Sequence, residues 1–354
     1  MARKVSFFEY RDYNLAAKYI LEQGLDCTFI MQPHMTVRTL ELGSRYSPDF
    51  VCTPFKTILG SMIEALESGA DTLVTTMGGC RLGYYGELQG QILKDLGYEF
   101  DLVNFAEFTT GRKRDYVKPV RMLNPKFSMA RLTRVATETV RMIEYLDLVE
   151  SIYYKNCGFE LTKGTYHKAY DRFSIAMEIA TTGQEIDMAY KVFLKQTKEI
   201  PLEKPVAPLR VGIIGEIYTA LDPFSNLEVQ QKLADMGVEV HRFINVTNRM
   251  FRYQGKNLAI GISEYCKFDM GPTSTINIWS AKNYASKGFD GIIHIKSSGC
   301  TPETDIMPVL QNISHDYKVP ILYLTYDSQT SDTGLNTRLE AFYDMISMRK
   351  KAII

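Results

Sequence analysis

Short apolar runs recur along this chain of 354 residues, each followed by a stretch with helical punctuation, and the alternation occurs twice with a break between. In the first stretch, residues 4–8, 27–31, 49–52, 72–76 and 100–105 read as strands. Between them, 15–23, 54–68 and 84–96 read as helices closed by Gly24, Gly69 and Gly97. Pro54 in the first turn of its helix and glycine just past the end is the usual asymmetry of helix termini. Strands alternating with helices of this length build parallel sheets. From about residue 124 to 200 the period changes. Met129, Leu132, Val135, Met142, Ile143, Leu146, Val149 and Ile152 fall mostly at three- and four-residue spacing, the signature of an amphipathic helix. Further helices are expected over 166–180 and 185–197. Pro201, Pro205 and Pro208 then exclude both helix and central strand.

Beyond the prolines a second alternation begins, with strands expected at 210–214, 238–243, 291–295 and 321–326 and helices at 227–236, 276–286, 302–315 and 335–348. The expected fold class is α/β: two open parallel-sheet domains joined by a helical segment. The boundaries are 1–122 for the N-terminal domain, 123–200 for the helical connection and 209–354 for the C-terminal domain.

Lysine and arginine number 41 against 41 aspartate and glutamate, so the chain is formally neutral and lacks the basic excess of a nucleic-acid binder. Charges within the first dozen residues argue against a secretory leader, and no apolar run approaches the roughly 18 residues of a membrane span. A cytoplasmic protein with no membrane partner is the expectation. Six cysteines, at 27, 52, 80, 157, 266 and 300, include no CxxC pair and none of the dense spacing of a disulfide scaffold.

Three of the six share a context. Cys52 opens Cys52-Thr53-Pro54 ahead of a helix, Cys300 opens Cys300-Thr301-Pro302 ahead of another, and Cys80 sits in Gly78-Gly79-Cys80-Arg81 between a strand and a helix. The expectation is that all three occupy strand-to-helix junctions. In open parallel sheets ligands bind beyond the carboxyl ends of the strands, and a helix start favours the thiolate, the form that binds metal. Three thiolates meeting in one interdomain cleft would make a soft metal site, and their wide separation requires the fold to assemble it. The competing reading of each is a small buried hydrophobe. Cys27, inside an apolar run, is read as core; Cys157 and Cys266, in loop-like flanks, stay open as extra ligands. Among histidines only His34 lies near a strand end in polar company, whereas His241 and His294 read as ordinary core or surface residues. Three thiolates without a fitting histidine suit an iron–sulfur cluster better than zinc.

Several motifs, in order, resemble one family. They are Thr36–Gly43, Cys52-Thr53-Pro54-Phe55-Lys56, Ala65–Asp71, Gly79-Cys80-Arg81-Leu82-Gly83-Tyr84-Tyr85, then Gly215-Glu216-Ile217-Tyr218, Asn226, Gly288-Phe289-Asp290-Gly291, Gly299-Cys300-Thr301-Pro302-Glu303 and Thr337–Phe342. They resemble the 2-hydroxyacyl-CoA dehydratase superfamily, both its dehydratase subunits and the activase-related proteins. The resemblance covers nearly the whole chain and is weakest in the helical middle. It implies an oxygen-sensitive iron–sulfur protein of anaerobes with two flavodoxin-like domains. It further implies a 4Fe-4S cluster or a fused double cubane on Cys52, Cys80 and Cys300, an ATP-hydrolysing activator protein as electron donor, and a dimer. The chain departs from the family at Met270-Gly271-Pro272-Thr273 and Asp327-Ser328-Gln329-Thr330, so neither a histidine role nor an acid–base role is carried over.

The leading expectation is a redox protein that transfers single electrons at low potential. Gly78 and Gly79 would let backbone N–H groups approach the cluster, and Arg81, Lys56 and Arg338 are candidate counter-charges. Glu303 would orient a thiolate's partner or cap its helix, with capping favoured. Two other readings stand beside it: a radical dehydratase subunit acting on a small 2-hydroxyacyl-CoA or a related small molecule, and a cluster-free accessory subunit. No P-loop is present to support ATP binding by this chain itself.

Overall fold

The computed structural model describes residues 2–76, 84–105 and 113–353. The chain divides into two compact units, one of residues 1–146 and 174–190, the other of residues 147–173 and 191–354.

The first unit contains β1 (Lys4–Phe7), α1 (Tyr13–Tyr19), β2 (Thr28–Phe29), α2 (Val37–Tyr46), α3 (Thr53–Glu67), β3 (Thr72–Thr76), α4 (Tyr85–Asp95), β4 (Asp101–Phe105) and α5 (Lys113–Leu123). Its four strands are all parallel, in the order β2-β1-β3-β4. Val5, Val74 and Val103 lie at the centre of one apolar cluster, and Phe55, Leu59, Met62, Ile63 and Leu73 form another. Of the long helical middle, α6 (Met129–Asn156) gives residues 129–146 to this unit and 147–156 to the other. α7 (Thr165–Ile179) and α8 (Gly183–Glu199) are likewise divided.

The second unit continues with β5 (Leu209–Gly215), α9 (Ile217–Leu221), α10 (Pro223–Asn226), α11 (Val229–Asp235), β6 (Val238–Arg242), α12 (Gly255–Gly261), α13 (Pro272–Ser286), β7 (Gly291–Ser297), α14 (Thr301–Asp305), α15 (Met307–Tyr317), β8 (Ile321–Tyr326) and α16 (Asp332–Ile353). Its strands are again all parallel, in the order β6-β5-β7-β8. Fully buried Val211, Ile213, Ile214, Ile292, Ile293 and Ile295 give the largely apolar runs that a sheet covered on both faces demands, interrupted in β7 by buried His294. The expected α/β class with two open parallel sheets is therefore what the chain forms. In each sheet the strand order reverses direction beside its first strand, between β1 and β3 and between β5 and β7, which are the switch points where ligands bind in such sheets.

One expected strand is absent. Residues 49–52 form a turn and a bend, closed by the Val51 amide donating to the Pro48 carbonyl at 3.5 Å. Pro48 and Asp49 favour a turn, and Phe50 is fully exposed, so the run has no buried face to present to a sheet. Helix α2, unexpected from the sequence, occupies the stretch before it. Thr36 and Thr39 close its start reciprocally as a capping box, with the Thr36 amide donating to Thr39 Oγ1 at 3.0 Å.

α2 packs on α3 at backbone contact. A Cβ on Gly43 would stand 1.7 Å from the Lys56 carbonyl oxygen, and one on Gly60 would stand 1.9 Å from the Thr39 carbonyl oxygen. Arg38 clamps the same crossing by donating to Glu64 at 2.8 Å and to Glu67 at 2.7 Å, while Thr39 Oγ1 donates to Glu64 at 2.7 Å. Either Gly43→Ala or Gly60→Ala must separate the helices. We expect a loss at or above the upper end of the ~1–3 kcal/mol typical of overpacking. Urea unfolding checks this, and a midpoint unchanged in both variants would contradict the close crossing.

Candidate functional site

Cys52 and Cys300 occupy the same local position in different units. Each is the extended N-cap residue of a helix, with φ/ψ of −65°/157° for Cys52 and −80°/100° for Cys300, and each is followed by Thr and by Pro in the first turn. Proline suits that position because its missing N–H would have no intrahelical partner there. Cys300 follows β7 after a short turn, as expected; its amide donates to the Ser297 carbonyl at 3.0 Å. Cys52 does not follow a strand, because residues 49–52 are a turn, so it stands at a helix-to-helix junction between α2 and α3. The two tripeptides thus share a helix start and not a strand end. α3 is long enough for its N-terminal dipole to favour a thiolate at Cys52. α14 spans little more than one turn and chiefly fixes the direction of Cys300.

Gly78, Gly79, Cys80 and Arg81 lie outside the described residues. In sequence they follow directly on β3, one of the two strands that flank the first sheet's switch point.

Cys52 Sγ lies 3.2 Å from the hydroxyl of Tyr85, the first residue of α4. Tyr85 is held by an edge-on contact with the ring of fully buried Phe55, with centroids 4.8 Å apart. With Cys52 as thiolate the hydroxyl is the donor, and hydrogen bonds to sulfur are one of the means by which proteins tune a metal-bound thiolate.

In the second unit the switch point is built around a buried carboxylate. Glu303 and His294 are both wholly inaccessible to solvent. Glu303 Oε2 lies 2.7 Å from His294 Nε2, and Glu303 Oε1 accepts from Asn277 Nδ2 at 2.9 Å. Asn277 also binds both backbone groups of Gly215, accepting from its amide at 3.1 Å and donating to its carbonyl at 2.8 Å. Gly215 has a φ of +146°, and a Cβ there would stand 1.9 Å from the Ile295 carbonyl, so only glycine fits. Next to it Glu216 caps α9, accepting from the amides of Tyr218 and Thr219 at 2.8 Å each. Burial pushes the Glu216 carboxyl above the ordinary carboxylate range, in part opposed by those amides. The expected capping role thus belongs to Glu216. Glu303 instead forms a buried polar pair.

The remaining cysteines separate from Cys52 and Cys300 by environment. Burial pushes the Cys27 thiol up to about 11 and the Cys157 thiol up to about 12, and it also raises Cys266. Cys157 packs with Tyr153, Tyr154, Leu233 and Ala234 in the core of its unit. A thiol held protonated in an apolar pocket is a poor ligand. His34, the histidine singled out in the sequence, has a mostly exposed side chain, and its Nδ1 lies 3.4 Å from Glu9, whose hydrogen bond raises its pKa. Arg338 donates to the Tyr323 carbonyl at 2.6 Å.

For an iron–sulfur cluster the donor set fits where it is described. Cys52 and Cys300 are sulfur donors at part-exposed helix starts, and the thiols that sequence spacing left open are disfavoured by burial. Among the described residues no three His, Cys, Asp or Glu side chains gather as a metal site, and Cys80 lies outside them. Nor is any helix among them long and apolar enough to cross a membrane. No family model matches the chain, and no curated protein matches it in sequence.

The thiol environments carry a prediction with a definite sign. Cys27 and Cys157 depart upward from an ordinary value of 9.0, so above pH 9 the unfolded chain binds fewer protons than the folded one. Their contribution to stability is complete below pH 9 and is lost as pH rises through about 11 and about 12. Urea midpoints should fall over that window. At pH 8, mass-resolved alkylation of metal-free native protein should label Cys52 and Cys300 well before Cys27 and Cys157. Labelling at equal rates would contradict the assigned environments.

Proposed function

We propose that this chain is an iron–sulfur redox protein of the 2-hydroxyacyl-CoA dehydratase type, with Cys52, Cys80 and Cys300 as cluster ligands. The observation that carries the reading is the repeated Cys-Thr-Pro helix start, which gives each unit a part-exposed sulfur on an extended N-cap residue. A cluster of this kind would supply single-electron transfer at low potential. The chain's own residues would do the rest. The start of α3 favours the thiolate of Cys52, and the Tyr85 hydroxyl donates to its sulfur. The Glu303–His294–Asn277 network fixes the end of β7 and the first turn of α14, and so the direction of Cys300. Gly78 and Gly79 are assigned to close backbone approach and Arg81 to charge compensation. The partner is an ATP-dependent activator protein that delivers the electron, and a small acyl-CoA is the substrate class for a dehydratase version of the same site.

Anaerobic purification followed by iron and acid-labile sulfide analysis tests this. About four irons per chain are expected for one cubane and about eight for a double one. Cys52→Ala, Cys80→Ala and Cys300→Ala should each lose most of the iron, while Cys157→Ala keeps it. A colourless, iron-free wild type would contradict the reading and favour a cluster-free accessory subunit. Turnover of a 2-hydroxyacyl-CoA with ATP and activator would establish the dehydratase form.

A further inference from the structure

The pair formed by His294 and Glu303 has a vacant proton position. Both side chains are fully buried, and among the described residues His294 Nδ1 has no hydrogen-bond partner. In the tautomer with a proton on Nε2 and none on Nδ1, Glu303 accepts from His294 at Oε2 and from Asn277 at Oε1. The pair then carries one negative charge, and its single unused atom, Nδ1, is a bare basic nitrogen. A buried charge without a counter-ion is costly, and a second negative charge nearby makes it more so.

The charged groups around the pair do not cancel it. Glu216, just past the end of β5, is a second carboxyl, raised above the ordinary range first by burial and only last by Glu303. On β7, Lys296 donates outward to Thr304 Oγ1 at 3.1 Å. α13 offers the neutral amide of Asn277, and β8 offers Tyr323, whose ring meets His294 edge-on at 5.6 Å and whose hydroxyl is pushed up to about 12 by burial. On α14 itself Asp305 is exposed. Glu303 lies three residues beyond Cys300 in the same helical turn, the spacing that places side chains about 5–6 Å apart at Cβ.

The geometry points to the His294–Glu303 pair as a proton acceptor coupled to reduction at Cys300. This rests on the iron–sulfur reading. One electron arriving beside Cys300 from a low-potential donor is matched by one proton from water, which ends on Nδ1. Nε2–H either stays on the ring, giving imidazolium and carboxylate, or passes to Oε2, giving imidazole and carboxylic acid. The added negative charge is neutralised in both cases, and no bond between heavy atoms changes.

The test is the midpoint potential of the cluster-loaded protein against pH. A tenfold fall in proton activity should lower the wild-type potential by about 59 mV, the value for a one-electron couple. Glu303→Gln and His294→Gln, measured on the fraction of each variant that loads iron, should flatten that dependence. A reduced-minus-oxidised infrared difference spectrum of the wild type, which needs no variant, should show a deuterium-sensitive carboxyl or imidazole protonation band. A pH-independent wild-type potential, an unchanged slope in an iron-loaded variant, or the absence of that band would overturn the inference and leave the cluster reading intact. An iron-free wild type would instead overturn the cluster reading itself.

Discussion

Glu303 is a carboxylate with no access to water, and the carboxyl edge of the second sheet is organised by the need to satisfy it. Leaving such a group unpaired would cost several kcal/mol, more than most single contacts contribute. Its two oxygens therefore reach β7 through His294 and α13 through Asn277, and Asn277 passes the constraint to β5 at Gly215. Three elements and the start of a fourth are joined by one side chain. Cys300, in the same turn, inherits its direction from that arrangement.

The first unit reaches a similar end by different means. There α2 and α3 meet at Gly43 and Gly60 so closely that each backbone fills the space of the other's missing side chain. Arg38 and Thr39 secure the crossing through Glu64. The helix that begins at Cys52 is thereby held along its length, and Phe55 and Tyr85 complete the surroundings of the sulfur. Two equivalent helix starts are supported by a polar network in one unit and by close helix packing in the other.

Much of this was legible in the residues. Alternating apolar runs and glycine stops located all eight strands to within a few residues, with β2 shorter than expected and a ninth expected over residues 49–52, and the switch to three- and four-residue spacing located α6. Residues 49–52 misled because a short apolar run looks the same in a strand and in a turn when nothing records which face is buried. α2 went unread because its apolar face is thin, although the Thr36–Thr39 capping box was there to be seen. The Cys-Thr-Pro repeat marked the two helix starts correctly. The roles of His294 and Glu303 were out of reach, since their pairing depends on the register of β7 against α14 and α13. His294 read as an ordinary core histidine and is buried, but its partner is a carboxylate nine residues away. The Cys-Thr-Pro context already set Cys52 above Cys157; burial adds the physical reason, raising the Cys157 thiol in the core while Cys52 is part-exposed at a helix start.

Both the repeated helix start and the buried pair behind Cys300 have their proposed purpose in a metal cluster on three sulfurs. A crystal grown under anaerobic conditions, with anomalous data collected on both sides of the iron absorption edge, tests that most directly. The account predicts an iron peak bonded to the sulfurs of Cys52, Cys80 and Cys300. A map with no iron signal at these sulfurs, or with the iron bound to Cys157 or Cys266, would contradict it.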